Sequence, residues 1–259
     1  TMTANHDSQT LSYRLDHLFR VVVIGVGGIG GALLQPLALF LHSVGIEIRL
    51  VLVDGDRFEP NNAQRQAFHR LGNKAQVKAA ETNGLLGDSA VTVVPIEHYI
   101  APENITKIVK PGDFVFLCVD NHPTRRLMSQ HWNGLSDVVL ISGGNEGVNP
   151  PSERGTYGNV QIAVRAQGKN ATVPITKYHP EITKSKETPP HELGCGQLVK
   201  STPQILFTNF AVASAMLNAF FATLCDQLSY QEVKLDILDA RMLPQFPIDT
   251  ELTDGESDL

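Results

Sequence analysis

Residues 21–30 read VVVIGVGGIG, an apolar run that is followed at once by a cluster of glycines. Four consecutive branched aliphatic residues are typical of a strand that is buried on both faces. A helical pattern of apolar residues at near four-residue spacing then begins at Ile29 and ends at Gly45. Because glycines between a strand and a helix let backbone N–H groups approach phosphate oxygens, this stretch predicts a nucleotide site.

Strand and helix patterns alternate along the first part of the chain. The predicted strands cover residues 21–24, 48–53, 91–96, 114–119 and 138–141, and the predicted helices cover 29–44, 74–86, 104–109 and 124–132. This alternation is typical of an α/β fold with a doubly wound, mostly parallel sheet of the Rossmann type. In the second half, predicted strands at 159–164 and 232–238 extend this sheet in the antiparallel sense.

The composition bounds the classes of partner. With 259 residues, of which 42% are hydrophobic, the chain can bury a substantial core. The net charge of -6 argues against binding to nucleic acid or to an anionic membrane, because either needs a basic surface. Most of the negative charge follows residue 243, so we predict an N-terminal tail (1–18), a single domain (19–242) and an acidic C-terminal tail (243–259).

Cysteine usage and hydropathy indicate the compartment. The three cysteines form no C-x-x-C pair, so we expect neither a disulfide framework nor a zinc site. The first eighteen residues lack an apolar signal core, and a reducing cytoplasm is the expected location. Residues 201–225 are uncharged and long enough to span a membrane. Their many polar side chains suit a helix buried in protein better, so no membrane association is predicted.

An acidic residue follows the glycine turn in the order that a nucleotide site requires. Asp54 ends the second predicted strand, where its carboxylate can accept hydrogen bonds from a ribose. The glycines that can approach the phosphates are Gly25, Gly27, Gly28 and Gly30. Glycines and acid together are usual in dinucleotide sites, so an NAD-dependent oxidoreductase remains one alternative.

The residues after Asp54 favour ATP over NAD. They are Asp56, Asn62, Arg65, Gln66 and Lys74. A departing pyrophosphate needs cations, because charge moves onto the leaving oxygens, and Arg65 and Lys74 can supply them. Asp120, with Asn121 beside it, ends another predicted strand and is a hard oxygen ligand suited to Mg²⁺. Each residue alone could be a surface charge or a helix cap; the combination and order predict an ATP site.

Residues 54–66, DGDRFEPNNAQRQ, closely resemble the ThiF/MoeB/ubiquitin-activating enzyme superfamily. Its hallmark is D-x-D, then N-x-x-R-Q, a lysine and later D-N, and the resemblance is strongest from residue 21 to 126. It implies an adenylyltransferase that uses ATP and Mg²⁺ to activate the C-terminal carboxylate of a small ubiquitin-like or sulfur-carrier protein. Residues 19–144 would then bind the nucleotide, and residues 145–242 would bind the carrier and form a homodimer.

The resemblance also implies roles for single residues. Gly28 and Asp54 would hold the adenosine, and Asp120 would bind Mg²⁺. The residues that it places at the phosphates are Asn62, Arg65 and Lys74. The run before the lysine is shorter than usual, so Lys78 is the second candidate for that position. Later features, including the uncharged helix, are similar to ThiF-like proteins of bacterial gene clusters.

Cys195 is the cysteine that the pattern places outside apolar segments. It lies between two glycines in a polar loop that precedes the uncharged helix. A loop thiol near a helix N-terminus can have a lowered pKa and act as a nucleophile. In relatives a cysteine of about this region receives the activated carboxylate as a thioester or exchanges sulfur, although Cys195 could also be a loop residue without a role. We expect His179 and His191 of the same loop to be solvated.

The chain departs from the family pattern in two respects. Many relatives carry a zinc site of two C-x-x-C pairs, which is missing here, so no zinc is expected. Many also have an N-terminal arginine that reaches the ATP of a partner subunit, for which Arg14 is the candidate. Two alternatives remain: an NAD-dependent oxidoreductase, which leaves the N-x-x-R-Q segment unexplained, and a non-catalytic nucleotide-binding assembly protein of the same fold.

Overall fold

The computed structural model describes residues 12–60, 68–193 and 203–247. Helices and the parallel strands of the main sheet alternate over residues 20–145, and antiparallel strands follow. The elements in chain order are β1 (Arg20–Ile24), α1 (Gly28–Ser43), β2 (Ile48–Val53), β3 (Arg57–Phe58), β4 (Gly72–Asn73), α2 (Lys74–Leu86), β5 (Val91–Ile96), α3 (Ile105–Ile108), β6 (Asp113–Leu117), α4 (His122–Asn133), β7 (Val138–Asn145), β8 (Val148–Asn149), β9 (Glu153–Arg154), β10 (Tyr157–Ala166), β11 (Lys169–Asn170), α5 (Pro180–Lys184), a 3-10 turn (Pro190–Glu192), α6 (Leu206–Leu224), β12 (Glu232–Asp236) and β13 (Arg241–Gln245).

Nine strands of the described chain form one sheet, in the order β13-β12-β10-β7-β6-β1-β2-β5, with β11 paired to β10 beside this path. Strands β7, β6, β1, β2 and β5 run parallel. Strands β10, β12 and β13 add to β7 in the antiparallel sense. The predicted α/β fold with a mostly parallel sheet and an antiparallel extension is confirmed.

Strand β1 shows why the opening stretch is apolar throughout. Val21 and Val23 belong to the hydrophobic cluster on one face of the sheet, together with α1 and α6. Val22 and Ile24 belong to the cluster on the other face, which includes side chains of α3 and α4. Both faces are therefore covered, and a strand in this position needs an apolar residue at every step.

Helix α6 packs along α1 and runs in the same direction. Asn209 near its start lies against Gly28, the first residue of α1. Near their other ends, the rings of Phe40 and Phe220 meet edge to face with centroids 5.9 Å apart. By length and composition α6 could cross a membrane. One side of it is nevertheless buried in the core, in agreement with the prediction of a helix buried in protein.

Several boundaries differ from the expected ones. Leu18 is fully buried, so the packed domain begins before residue 19. Strand β13 continues to Gln245, inside the predicted acidic tail, because residues 241–245 pair with β12. Its side chains are exposed, so it has no apolar alternation to find. The described part of the polar loop before α6 contains α5 and a 3-10 turn that begins at Pro190.

Candidate nucleotide site

The predicted nucleotide residues meet at the carboxyl ends of neighbouring strands. The sheet order reverses at β1, because β2 lies on one side of it and β6 on the other. Gly25 follows β1 and donates its N–H to the carbonyl of Val53 at 2.8 Å. Cys118, which follows β6, donates its N–H to Ile24 at 2.8 Å. In open α/β sheets, ligands bind outside the strand ends at such a reversal.

The glycine turn is shaped by close contacts that exclude side chains. Gly25 has φ +84°, and a Cβ there would lie 3.0 Å from the Cys118 carbonyl. A Cβ on Gly30 would lie only 1.9 Å from the carbonyl oxygen of Gly25, so this helix turn packs directly on the loop. The N-cap residue of α1 is Gly27, which provides no side-chain cap. The first N–H groups of α1 therefore suit an anionic ligand.

Asp54 joins the end of β2 to the glycine turn. One carboxylate oxygen accepts the N–H of Val26 and the other accepts the N–H of Asp56, both at 2.8 Å. Burial raises the pKa of Asp54 to about 6, although the charge of Lys74 lowers it in part. A carboxylate has about four acceptor positions, so the group can still accept ribose hydroxyls.

A connected polar group at the carboxyl ends of the strands consists of Asp56, Lys74 and Tyr99. The ammonium of Lys74 lies 2.9 Å from one carboxylate oxygen of Asp56. The hydroxyl of Tyr99 donates to the other oxygen. Asn73 donates to the carbonyls of Asp54 and Asp56, at 2.9 and 3.2 Å, and so fixes this turn against the start of α2.

The two candidate lysines are both buried but have different partners. Lys74 is the first residue of α2 and contacts the acidic motif. Lys78, one turn later, pairs with Glu81 of its own helix at 2.7 Å. Both ammonium groups lie near the ring of Phe58, at 6.0 and 5.6 Å from its centroid. The contact with Asp56 favours Lys74 as the phosphate lysine, and the assignment stays a prediction.

Asp120 and Asn121, which follow β6, have different surroundings. Asn121 caps α4, because its side-chain oxygen accepts the N–H of Thr124 at 2.9 Å. Asp120 is exposed. Within the described ranges, no group of three or more His, Cys, Asp or Glu side chains is placed to hold a metal ion. Mg²⁺ is commonly held by one or two carboxylates together with substrate phosphates, so Asp120 fits such a site.

Arg125 is a buried residue that sequence reasoning missed. Its guanidinium donates to the hydroxyl of Ser142 at 2.6 Å and to the carbonyls of Val119 and Gly143, both at 2.7 Å. Burial lowers its pKa from the ordinary value. The side chain therefore ties the end of β6, where Asp120 follows, to the end of β7. No local pattern distinguishes it from Arg126, its half-buried neighbour.

Other predicted residues have different outcomes. Asn62, Arg65, Gln66 and Cys195 lie outside the described residues, and their assigned roles stay predictions. Cys118 is buried, and burial raises its pKa to about 12. Arg14 donates its N–H to the carbonyl of Leu224, at the end of α6 that is remote from the glycine turn. Because α1 is roughly 24 Å long and the glycine turn lies at its other end, Arg14 does not reach the candidate nucleotide site of its own chain.

His179 was expected to be solvated and is not. Its two ring nitrogens lie 2.8 Å from carboxylate oxygens of Glu181 and Glu232. Burial opposes its protonation, but the hydrogen bonds to the two glutamates outweigh this effect and raise its pKa. The ring thus anchors the start of α5 to β12.

Comparison with known proteins identifies relatives of this chain. A family model described as the ThiF family matches residues 7–239. Over 128 residues the chain is 40% identical to the SAMP-activating enzyme E1 of Haloferax volcanii. This match covers 48% of this chain and 42% of that protein. It is also 40% identical over 126 residues to the adenylyltransferase and sulfurtransferase MOCS3 of Xenopus laevis. This match covers 48% of this chain and 25% of that protein. The matched part is thus less than half of either relative.

Solved structures share the fold. The structure of E. coli MccB with ATP has a TM-score of 0.63 and 16% identity, and covers 90% of this chain and 65% of that chain. PaaA has a TM-score of 0.60 and 18% identity, and covers 89% of this chain and 74% of that chain. At these identities the likeness shows a common fold.

Proposed function

This chain belongs to the ThiF family, and we propose that it adenylates the C-terminal carboxylate of a small ubiquitin-like or sulfur-carrier protein. The observation that carries this proposal is the meeting of the glycine turn, Asp54, the Asp56–Lys74 pair and Asp120 at the reversal of the sheet order. Relatives named as adenylyltransferases and as an E1 activating enzyme support it, as does a solved MccB structure with ATP.

The chemistry is a substitution at the α-phosphorus of ATP. A carboxylate oxygen of the carrier forms the new P–O bond, the bond to pyrophosphate breaks, and an acyl-adenylate results. A terminal carboxylate is ionised at pH 7, so no side-chain base is required. Catalysis then comes from positioning and from stabilisation of the charge on the leaving oxygens.

Different residues bind the adenosine, stabilise the leaving group and hold the metal ion. The glycine turn and Asp54 bind the adenosine portion and orient the phosphates. Lys74, together with Arg65 and Asn62, stabilises the negative charge that develops on the pyrophosphate. Asp120 would hold Mg²⁺, which would neutralise phosphate charge there.

Pyrophosphate exchange tests the proposal directly. Purified protein is incubated with ATP, Mg²⁺, labelled pyrophosphate and members of a panel of ubiquitin-like proteins that end in glycine. Label should enter ATP only with a carrier whose terminal carboxylate is free, so the matched control is the same carrier with a C-terminal amide. Equal exchange without a carrier, or no exchange with any of them, would contradict the proposal.

The same material separates the two alternatives. Calorimetric titration with ATP and with NAD distinguishes an ATP site from the site of an oxidoreductase, and we expect ATP to bind more tightly. A non-catalytic assembly protein would bind ATP without any exchange of pyrophosphate.

A second chemical step is proposed for Cys195. Its thiolate would attack the carbonyl carbon of the acyl-adenylate, forming a C–S bond while AMP leaves with the bonding electron pair. In the sequence Cys195 lies between two glycines, which carry no side chains that could obstruct the carrier terminus. Adenylation itself needs no thiol, so the two steps can be separated by mutation.

We also propose a cytoplasmic homodimer that is formed through α6. Its outer side exposes Phe207, Phe210 and Phe221, with exposed fractions of 71%, 50% and 37%. A row of exposed aromatic side chains is a common mark of a protein interface. Light scattering should give a dimer for the wild type and a monomer for the Phe207→Ser/Phe210→Ser variant; a monomeric wild type would contradict this.

A further inference from the structure

Tyr99 contacts the acidic turn through both its ring and its hydroxyl. It lies in the loop between β5 and α3. A Cβ on Gly55 would come within 2.6–2.8 Å of three atoms of the ring, so glycine at that position is what lets the ring lie against the turn. The hydroxyl donates a hydrogen bond to a carboxylate oxygen of Asp56. Burial, the hydrogen bond and the charge of Asp56 raise the pKa of Tyr99, so the hydroxyl stays protonated as a donor.

The other oxygen of the same carboxylate holds Lys74. The Lys74 ammonium lies 2.9 Å from it, and the side chain of Asp56 is 44% exposed. A half-exposed side chain is not fixed by packing, so its hydrogen bonds determine where the carboxylate lies. Tyr99 on one oxygen and Lys74 on the other restrain it from both sides.

Lys74 needs such an anion. Its side chain is only 11% exposed, and it is the first residue of α2, where the helix dipole disfavours a cation. Without a nucleotide, Asp56 supplies the negative charge beside it. When a triphosphate enters, its oxygens can take the same place.

We propose that Tyr99 is a positioning residue for the phosphate lysine. It acts through Asp56, and fixes the carboxylate so that the Lys74 ammonium is held in place beside the acidic turn before a triphosphate binds. The role toward phosphate rests on the proposed function; the holding of Lys74 in the free protein does not.

Two substitutions distinguish this role from simple packing. Tyr99→Phe keeps the ring against Gly55 and removes only the hydroxyl, whereas Tyr99→Leu removes both contacts. Tyr230→Phe is the matched control, because it removes a hydroxyl from another partly buried tyrosine, beside β12.

The first measurement follows Lys74 in the free protein. The protein is treated with a water-soluble acetylating ester, and the rate of Lys74 acetylation is read by peptide mass spectrometry. A hydrogen bond to a charged group commonly contributes enough to change such a rate about tenfold when it is lost. We expect acetylation to be about three- to tenfold faster in Tyr99→Phe and unchanged in Tyr230→Phe.

A double-mutant comparison tests whether the effect passes through Asp56. In an Asp56→Ala background, Tyr99→Phe should not change the acetylation rate further, because the carboxylate that couples the two residues is gone. An unchanged rate in the single Tyr99→Phe variant, or an equal effect with and without Asp56, would overturn the proposal.

The second measurement is calorimetric titration with ATP and with adenosine. Tyr99→Phe should weaken ATP binding about fivefold and leave adenosine binding unchanged, because only ATP reaches Lys74. Equal weakening of both ligands would assign Tyr99 a general structural role. A wild type that binds neither ligand, while Lys74 acetylation still depends on Tyr99, would overturn the proposed function and leave the positioning of Lys74 established.

Discussion

The carboxylate of Asp54 accepts the backbone N–H of Val26 at 2.8 Å, and this bond joins the end of β2 to the glycine turn that follows β1. The acid is therefore a part of the turn as well as a group for a ligand. Because Asp54 is buried, its charged form is disfavoured, and its pKa is raised to about 6. The same side chain thus contributes both a hydrogen bond and a titrating charge to the turn that is predicted to bind adenosine.

Adenosine binding should depend on the ionisation of Asp54. The ionised form is present above pH 6 and is lost as the pH falls through that value, so affinity should fall up to about tenfold between pH 7 and pH 5. Adenosine is the suitable probe because it carries no phosphates that titrate in this range. In calorimetry Asp54→Asn should bind weakly at both pH values; a variant that keeps the wild-type pH dependence would refute the assignment.

Lys74→Ala should lower pyrophosphate exchange about 100-fold, because one preorganised contact to developing charge contributes on the order of 3 kcal/mol. Lys78→Ala is the matched control, since Lys78 is an equally buried lysine of the same helix that pairs with Glu81. Circular dichroism checks that both variants are folded. If Lys78→Ala loses the exchange and Lys74→Ala keeps it, the two lysines exchange roles.

Asp120→Asn should raise the Mg²⁺ concentration that half-maximal exchange requires, while the stability of the protein is unchanged because Asp120 is exposed. Asn121→Ala gives the reverse pattern. It removes the cap of α4 and should lower the free energy of unfolding by about 1 kcal/mol. A Mg²⁺ titration and a urea denaturation curve on each variant separate the effects, and an unchanged Mg²⁺ requirement in Asp120→Asn would exclude it as the ligand.

Arg125→Met should lower the free energy of unfolding by about 3 kcal/mol, because the buried acceptors Ser142, Val119 and Gly143 lose their donor. Arg126→Met is the control. Arg126 is more exposed, and its hydrogen bonds to two carbonyls are long, at 3.3 and 3.4 Å. Urea denaturation compares the two variants, and equal losses would mean that burial of the Arg125 guanidinium contributes little.

Cys195→Ala should retain pyrophosphate exchange and lose any covalent adduct with the carrier. In intact-mass spectra without reductant, the wild type should gain the mass of the carrier after ATP is added, and a thiol reagent should remove it. Cys225→Ala is the control, because this cysteine is buried. A wild type that accumulates acyl-adenylate but never an adduct would limit the activity to adenylation.

Local apolar periodicity is sufficient to predict the elements of the parallel part of the sheet. Strands β2 and β5 and helix α2 have the predicted bounds, because each is a run whose apolar spacing differs from that of its flanks. The sequence does not predict strand β13, since an exposed end strand lacks that spacing. What defines β13 as a strand is its pairing with β12, and this pairing cannot be predicted from the sequence of residues 241–245.

The side chains that organise the candidate site lie outside the sequence motif. Tyr99 reaches Asp56 across 43 positions of the chain, and Arg125 reaches Gly143 across 18. Such contacts are made by the tertiary fold, so no spacing rule within one element predicts them. The glycine turn and Asp54 can be predicted from the sequence, because strand, turn and acid follow each other in a fixed order.

The two end strands of the sheet each carry a proline. Pro95 lies in β5, opposite Leu52, and Pro244 lies in β13, opposite Val233. A proline in an end strand is accommodated where its nitrogen faces away from the neighbouring strand, so each outer edge lacks one N–H donor. Neither of these two edges can offer an unbroken row of donors to a strand of another molecule, which disfavours edge-to-edge aggregation there.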